Sequence, residues 1–192
     1  MEKRASKIAI FGGSFDPPHL GHLEIIKKAL ERLDIDKIIV VPAYISPFKK
    51  GHVAPAKLRL EWLKRMTAFD PRIEVSDIEI NKEGPSYTID TVDHFARFFD
   101  TIYFIIGADN LKDLHKWHRF DELDRKVRWV VATRKNEPIP EGFIRLDVDM
   151  PISSTELREH IDPKWIPETI REDVVRYYKN RNEKNQNIKE ND

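Results

Sequence analysis

His19 and His22 stand three residues apart in the stretch Gly12-Gly-Ser-Phe-Asp-Pro-Pro-His-Leu-Gly-His22, which follows directly on the apolar run Lys7-Ile-Ala-Ile-Phe11. In the first turn of a helix that spacing puts both imidazoles on one face. Each can donate a hydrogen bond to a phosphate oxygen whose charge grows as a bond breaks, a form of electrostatic rather than covalent catalysis. Gly12 and Gly13 remove side chains where the backbone turns, so that successive N–H groups can converge on an anion, and the two prolines stiffen the approach to the helix. The helix would then aim its free N-terminal amides at the ligand. Asp16 would repel phosphate if it faced inward and is expected to hold backbone amides of the turn instead. The stretch lacks both G-x-x-x-x-G-K-[ST] and G-x-G-x-x-G, which disfavours a Walker-type NTPase and a dinucleotide fingerprint. A zinc helix would pair its histidines at i, i+4 with a Glu, and no third ligand is suggested nearby.

A second candidate lies some 140 residues on, in Ile152-Ser-Ser-Thr-Glu-Leu-Arg158. Ser153 or Ser154 can cap a helix start, and Arg158 sits one turn inside it, placed to offer a guanidinium fork to phosphate oxygens.

These groups need a scaffold that brings them together. Lys7 to Phe11 reads as a buried strand, His22 to Leu33 as an amphipathic helix and Lys37 to Val41 as a second strand, so the unit implies a parallel pair. Pro42 to Pro55 reads as a surface loop, Ala56 to Phe69 as a helix, and Ile73 to Ile80 alternates like a strand. Ser86 to Phe99 is a predicted helix, Ile102 to Ile106 a buried strand, and Trp129 to Ala132 and Phe143 to Val148 further strands. Helices follow over 153–161 and 168–181. The order argues for an α/β fold, a doubly wound Rossmann-like parallel sheet with a helical C-terminal end, whose ligand sits beyond the carboxyl ends of the strands. Residues 1–181 form one domain on this reading, and the polar segment 182–192 is expected to be a disordered tail.

Composition excludes several classes. With 33 basic and 33 acidic residues the formal charge is zero, so no global field recruits nucleic acid or a membrane surface. Cysteine is absent, which removes disulfides, thiolate nucleophiles and Cys-type zinc sites. No run approaches ~18 apolar residues, and the basic start is too short in apolar residues for a signal peptide, so a cytoplasmic protein is expected. Nothing in the sequence sets an oligomeric state.

Gly13 to His22 resembles the G-[ST]-F-D-P-x-H-x-G-H signature of the superfamily that transfers a nucleotidyl group from an NTP, and Ile152 to Arg158 resembles that superfamily's I-S-S-T-x-[IL]-R signature. Gly84-Pro-Ser-Tyr-Thr-Ile-Asp-Thr91, Phe104-Ile-Ile-Gly-Ala-Asp109 and Trp117-His-Arg119 are similar to segments of bacterial nicotinate-nucleotide adenylyltransferases. The resemblance spans almost the whole chain except its tail. It implies adenylyl transfer from ATP to nicotinate mononucleotide, giving deamido-NAD and pyrophosphate. The acceptor phosphate is already anionic, so neither a serine nucleophile nor a strong base is required.

The resemblance also implies roles. His19, His22 and Arg158 would be catalytic; Gly12, Gly13, Ser14, Phe15, Gly107, Asp109 and Ser154 would line the ATP site with them. Tyr87, Thr88, Trp117 and His118 would take the mononucleotide, the indole facing the cationic pyridine ring and backbone amides near Thr88 and His118 meeting its carboxylate. Mg2+ is expected to arrive mainly on ATP, with no metal ligands from the protein. One departure stands out: the family reads P-P-H-K where this chain has Ser46-Pro-Phe-Lys-Lys50, so Phe48 replaces a histidine and a phosphate contact falls to Lys49 or Lys50. Two other readings compete. One is an adenylyltransferase acting on nicotinamide mononucleotide or phosphopantetheine; the other is a regulatory nucleotide-binding module without turnover.

Overall fold

The structure is a computed structural model that describes residues 6–45, 53–133 and 137–189, with side chains to residue 184. Six strands form one parallel sheet in the order β3-β2-β1-β4-β5-β6. They are β1 (Lys7–Gly13), β2 (Lys37–Pro42), β3 (Ile73–Val75), β4 (Thr101–Gly107), β5 (Arg128–Thr133) and β6 (Ile144–Asp147). β1 sits at the centre, and the chain winds outward from it in one direction through β2 and β3 and in the other through β4 to β6. The order therefore reverses between β1 and β4, and a crevice opens there at the carboxyl ends.

Both sheet faces are covered, which is why the central strands are nearly continuous hydrophobic runs. Along β1, Ala9 and Phe11 point into one core with α1 (Leu20–Arg32), α2 (Ala56–Thr67) and α7 (Arg171–Lys189). Ile8 and Ile10 point into the other, with α4 (Thr88–Phe95) and α5 (Phe120–Lys126). The remaining helices are short: α3 (Ile78–Lys82) and α6 (Ser154–Glu159).

Three sequence expectations change. The alternation over 73–80 yields a strand only to Val75, the last residue that pairs with β2, at Val40. Just beyond it the Ser76 amide still donates to the Val40 carbonyl at 2.9 Å, but Ser76 Oγ accepts the Ile78 amide at 3.4 Å and the chain turns into α3. The helix expected over 86–99 is shorter, running Thr88–Phe95. The segment 182–189, expected to be disordered, continues α7 as helix, and Asn182 Nδ2 donates to the Arg158 carbonyl at 3.2 Å. That bond ties α7 at Asn182 to α6, which a composition reading of the polar tail cannot reveal. Among the described residues no helix is long and apolar enough to cross a membrane.

Candidate active site

α1 begins at His19, and its start is built by the two histidines themselves. His19 is the N-cap, with an extended backbone; its Nδ1 accepts the Gly21 amide at 3.1 Å, while the His19 amide donates to His22 Nδ1 at 3.2 Å. This is a capping box with imidazoles where a hydroxyl and a carboxylate more often stand. The sequence leads one to expect free helix amides facing the anion; instead these two amides are taken up by the rings. The consequence is chemical. With Nδ1 accepting in both rings, the ring proton sits on Nε2, so each imidazole carries an N–H at its outer edge. The rings stack at 3.7 Å between centroids, and the edge contact of Phe15 at 4.9 Å steadies His22 from behind.

Gly21 permits this arrangement. A Cβ there would lie 2.9 Å from His19 Cε1 and 3.0 Å from Nδ1, so a methyl group must displace the ring. Gly21→Ala is expected to leave the helix formed, since alanine is the better helix residue, yet to cut kcat about 10- to 100-fold. Steady-state kinetics beside a thermal melt would check this; unchanged kcat would mean that the position of His19 does not matter.

His19 is only 5% exposed, and burial lowers its pKa from the ordinary 6.5 to about 4, with Glu156 acting weakly in the opposite direction. At neutral pH the free enzyme therefore holds His19 as a neutral N–H donor. Because the folded-state value lies below the unfolded one, the unfolded chain binds the extra proton first, and stability present above pH 6.5 is lost as pH falls through about 4. The loss reaches about 2 kcal/mol by pH 5. Urea unfolding at pH 7 and pH 5 should show wild type losing about that much more than His19→Gln. Equal losses would refute the assignment.

The rest of the loop is held from three sides. Phe15 has a left-handed backbone (φ 48°) that costs on the order of 1 kcal/mol, offset by full burial of its ring against Phe11 at 5.3 Å. Asp16 faces away from the crevice. It accepts the amides of Val53 at 2.7 Å and Ala54 at 3.0 Å, and the hydroxyl of buried Tyr178 on α7. It thus holds amides, as expected, but those of the segment entering α2 rather than those of its own turn. Burial, with Asp16 alongside, pushes the Tyr178 hydroxyl far above its usual range. The third side is Arg59 of α2, fully buried, whose Nη1 donates to the Ser14 carbonyl at 2.6 Å, Nη2 to that of Ala43 at 2.8 Å and Nε to that of Ala54 at 3.0 Å.

Arg59 and Tyr178 are not among the residues that the sequence singles out for the site. A signal is present for both. Arg59, Trp62, Leu63 and Met66 fall at i, i+3, i+4 and i+7, so the arginine occupies a register that packs inward, and Ile170, Val174 and Tyr178 form the equivalent i, i+4, i+8 row.

The second motif docks onto the first. Ser153, rather than Ser154, caps α6, accepting the Glu156 amide at 3.2 Å. Ser154 Oγ donates to the Pro17 carbonyl at 2.9 Å, and Arg158 donates from Nη1 to the Asp16 carbonyl at 2.8 Å and from Nη2 to Thr155 Oγ1 at 2.9 Å. Two residues some 140 positions further along the chain thereby sit on the backbone of the loop.

One cavity of about 930 Å³ gathers these groups. It is lined by Gly12, Gly13, Ser14, Phe15, His19, His22, Gly107, Asp109, Ser154 and Arg158, and also by Tyr87, Thr88, Trp117 and His118. Every expected site residue among the described ones is there; Lys50, with Lys49 and Phe48, lies outside the described residues. Asp109 follows the end of β4, and Asn110 Nδ2 orients it through bonds to its Oδ1 at 3.2 Å and to the Gly107 carbonyl at 3.3 Å. A Cβ on Gly107 would be 2.5 Å from that carboxylate oxygen, so glycine is needed for Asp109 to fold back. Across the cavity, Tyr87 and His118 are in ring contact at 4.6 Å, and Trp117 stands edge-on to Phe104 at 6.3 Å. Tyr87 makes no side-chain cap on α4, so the first amides of that helix are not used up by one. Among the described residues no group of three or more His, Cys, Asp or Glu is arranged to hold a metal ion.

The chain is similar to a family of known proteins. The cytidylyltransferase-like family model matches residues 10–160. A protein of a Nitratiruptor species named "Probable nicotinate-nucleotide adenylyltransferase" is 46% identical over 175 residues, covering 90% of this chain and 99% of its own. One of the same name from Sulfurimonas denitrificans is 45% identical over 172 residues, covering 90% and 94%. Among solved structures, Plasmodium falciparum nicotinic acid mononucleotide adenylyltransferase complexed with NaAD superposes with a TM-score of 0.74 at 22% identity, covering 91% of this chain and 98% of that one. The same enzyme complexed with APC gives 0.65 at 20% identity, covering 92% and 96%. The fold is common to all of them, and the identity to the bacterial proteins decides the closer kinship: the chain belongs to the cytidylyltransferase-like nucleotidyltransferases and, within them, to the nicotinate-nucleotide adenylyltransferase family.

Proposed function

We propose that the protein transfers the adenylyl group of ATP to nicotinate mononucleotide, giving deamido-NAD and pyrophosphate in NAD biosynthesis. The observation that carries this reading is the single cavity that joins an anion-binding floor, His19 and His22, to an aromatic wall at Trp117 and an uncapped helix start at Thr88. The floor suits a triphosphate. The wall suits a cationic pyridine ring, and the amides of α4 suit its carboxylate.

An acceptor phosphate oxygen attacks the α-phosphorus in line, the bond to the bridging oxygen breaks, and pyrophosphate leaves with that electron pair. No group on the protein becomes covalently bound. The Nε2–H donors of His19 and His22 meet charge that develops on the phosphoryl oxygens, already oriented because their Nδ1 atoms are committed to the backbone. Arg158, anchored through Asp16 and Thr155, presents its guanidinium to the departing phosphates. Asp109 accepts ribose hydroxyls. Magnesium, carried on the phosphates of ATP, supplies charge neutralisation there.

Pyrophosphate release from ATP and magnesium, measured in parallel with nicotinate and nicotinamide mononucleotides and with phosphopantetheine, tests the reading. Turnover should favour the nicotinate acceptor. Preference for nicotinamide mononucleotide would overturn the substrate, and no release with any acceptor would overturn the activity.

A further inference from the structure

Glu79 of α3 is a carboxyl group on the cavity wall that the transfer reaction does not use. Its Oε1 accepts the Thr91 hydroxyl at 2.6 Å, and its carboxyl is also hydrogen-bonded by the Ser86 side chain. Ser86 Oγ in turn accepts the Tyr44 amide at 3.3 Å, so its own proton is the one directed to Glu79. Ser86 further donates its amide to the Ile45 carbonyl at 3.1 Å.

The placement matters more than the count of bonds. Ser86 and Thr91 bracket Tyr87 and Thr88, one from the turn before α4 and the other from its first turn. Both hydroxyls end on a single carboxyl group, which therefore fixes the corner between them from below. That corner carries the Tyr87 ring packed on His118 and the uncapped amides of α4. Lys82, the cation nearest in sequence, forms its ion pair with Asp90, and its charge acts on Glu79 only at longer range. Burial raises the Glu79 pKa, opposed by the two hydroxyl hydrogen bonds, as expected for a carboxyl group held by neutral donors.

We infer that Glu79 is a positioning residue for the mononucleotide acceptor: by holding Ser86 and Thr91 it sets the Tyr87–Thr88 corner that receives the pyridine substituent. This rests on the reading that the acceptor is a pyridine mononucleotide bound at α4. Glu79 acts through the corner, so its effect falls on acceptor binding and not on the phosphate floor, which is built by separate elements, the β1–α1 loop and α6.

The experiment is steady-state kinetics on the full chain with ATP and magnesium, comparing wild type, Glu79→Gln and the double variant Ser86→Ala/Thr91→Val. A glutamine keeps the shape but presents an N–H donor to one of the two hydroxyls, so that hydroxyl must turn and accept, and the convergence of both hydroxyl protons on one group is lost. The expected result is a KM for nicotinate mononucleotide raised about 3- to 10-fold in Glu79→Gln, with KM for ATP and kcat within about twofold. The double variant should shift KM in the same sense, and adding Glu79→Gln to it should change little further. An unchanged acceptor KM in both variants would overturn the inference. So would an equal worsening of acceptor KM, ATP KM and kcat, which marks a merely structural carboxyl group. If wild type instead turns over nicotinamide mononucleotide, the substrate reading fails by itself, and the variants are judged by the same split in KM for that acceptor.

Discussion

His19→Ala should lower kcat by about 100- to 1000-fold while the enzyme still folds and binds ATP. The size follows from what the residue supplies: a preoriented N–H donor in a nearly dry position, neutral at working pH and aimed by its own backbone bond. Water entering the gap cannot replace it without the cost of reorganising as charge moves. The stability cost is smaller, about 1 kcal/mol for losing the cap of α1. The alanine also removes the acid-labile share of stability, so the variant, about 1 kcal/mol less stable than wild type at pH 7, should match or exceed wild type at pH 5. Pre-steady-state and steady-state assays with a melt at each pH check both halves. A kcat within a factor of ~3 of wild type would show that the main donor is assigned wrongly.

Arg59→Ala should be the most destabilising single change on the cavity's support. The guanidinium lies at 0% exposure and donates to four carbonyls from three segments: Ser14 in the loop after β1, Ala43 and Tyr44 after β2 and Ala54 before α2. Its charge also balances buried Asp16. Removing it strips the carbonyls of their donor and takes the countercharge from Asp16, a loss of about 3–5 kcal/mol. For a chain of this length that is roughly a 10 °C fall in Tm. Lysine should not rescue, because a single ammonium cannot span the fork of acceptors. ATP affinity should fall as well, since Gly13 and Ser14 lose their brace. Chemical unfolding and ATP titration of both variants decide it; a loss below about 1 kcal/mol would mean the network is redundant.

How much of this was legible in the chain depends on the range of the interaction involved. The central strands were readable because burial on both faces makes them continuous apolar runs, as from Ile102 to Ile106. The edge was not: apolar residues stand at 73, 75, 78 and 80, and pairing with β2 runs only from Ile73 to Val75 before Ser76 and Asp77 break the alternation and the chain turns into α3. Helix α7 continues past Arg181, and a bond there to another element, Asn182 to the Arg158 carbonyl, comes from a distant part of the chain that composition cannot indicate.

The same division runs through the site. The sequence by itself supplied the candidate groups: two imidazoles at i, i+3 after a glycine turn, an arginine one turn into a capped helix and an indole, all as residue types and spacings that survive without a partner. Tertiary structure alone decided how those groups are aimed. It committed both Nδ1 atoms to the backbone and so left the ring proton on Nε2, buried His19 far enough to keep it neutral, turned Asp16 outward to Tyr178 and the 53–54 amides, and set Arg59 beneath the loop. The physical reason is that reactivity depends on desolvation and hydrogen-bond geometry. Both are fixed by what packs around a side chain, and spacing along the chain does not encode them.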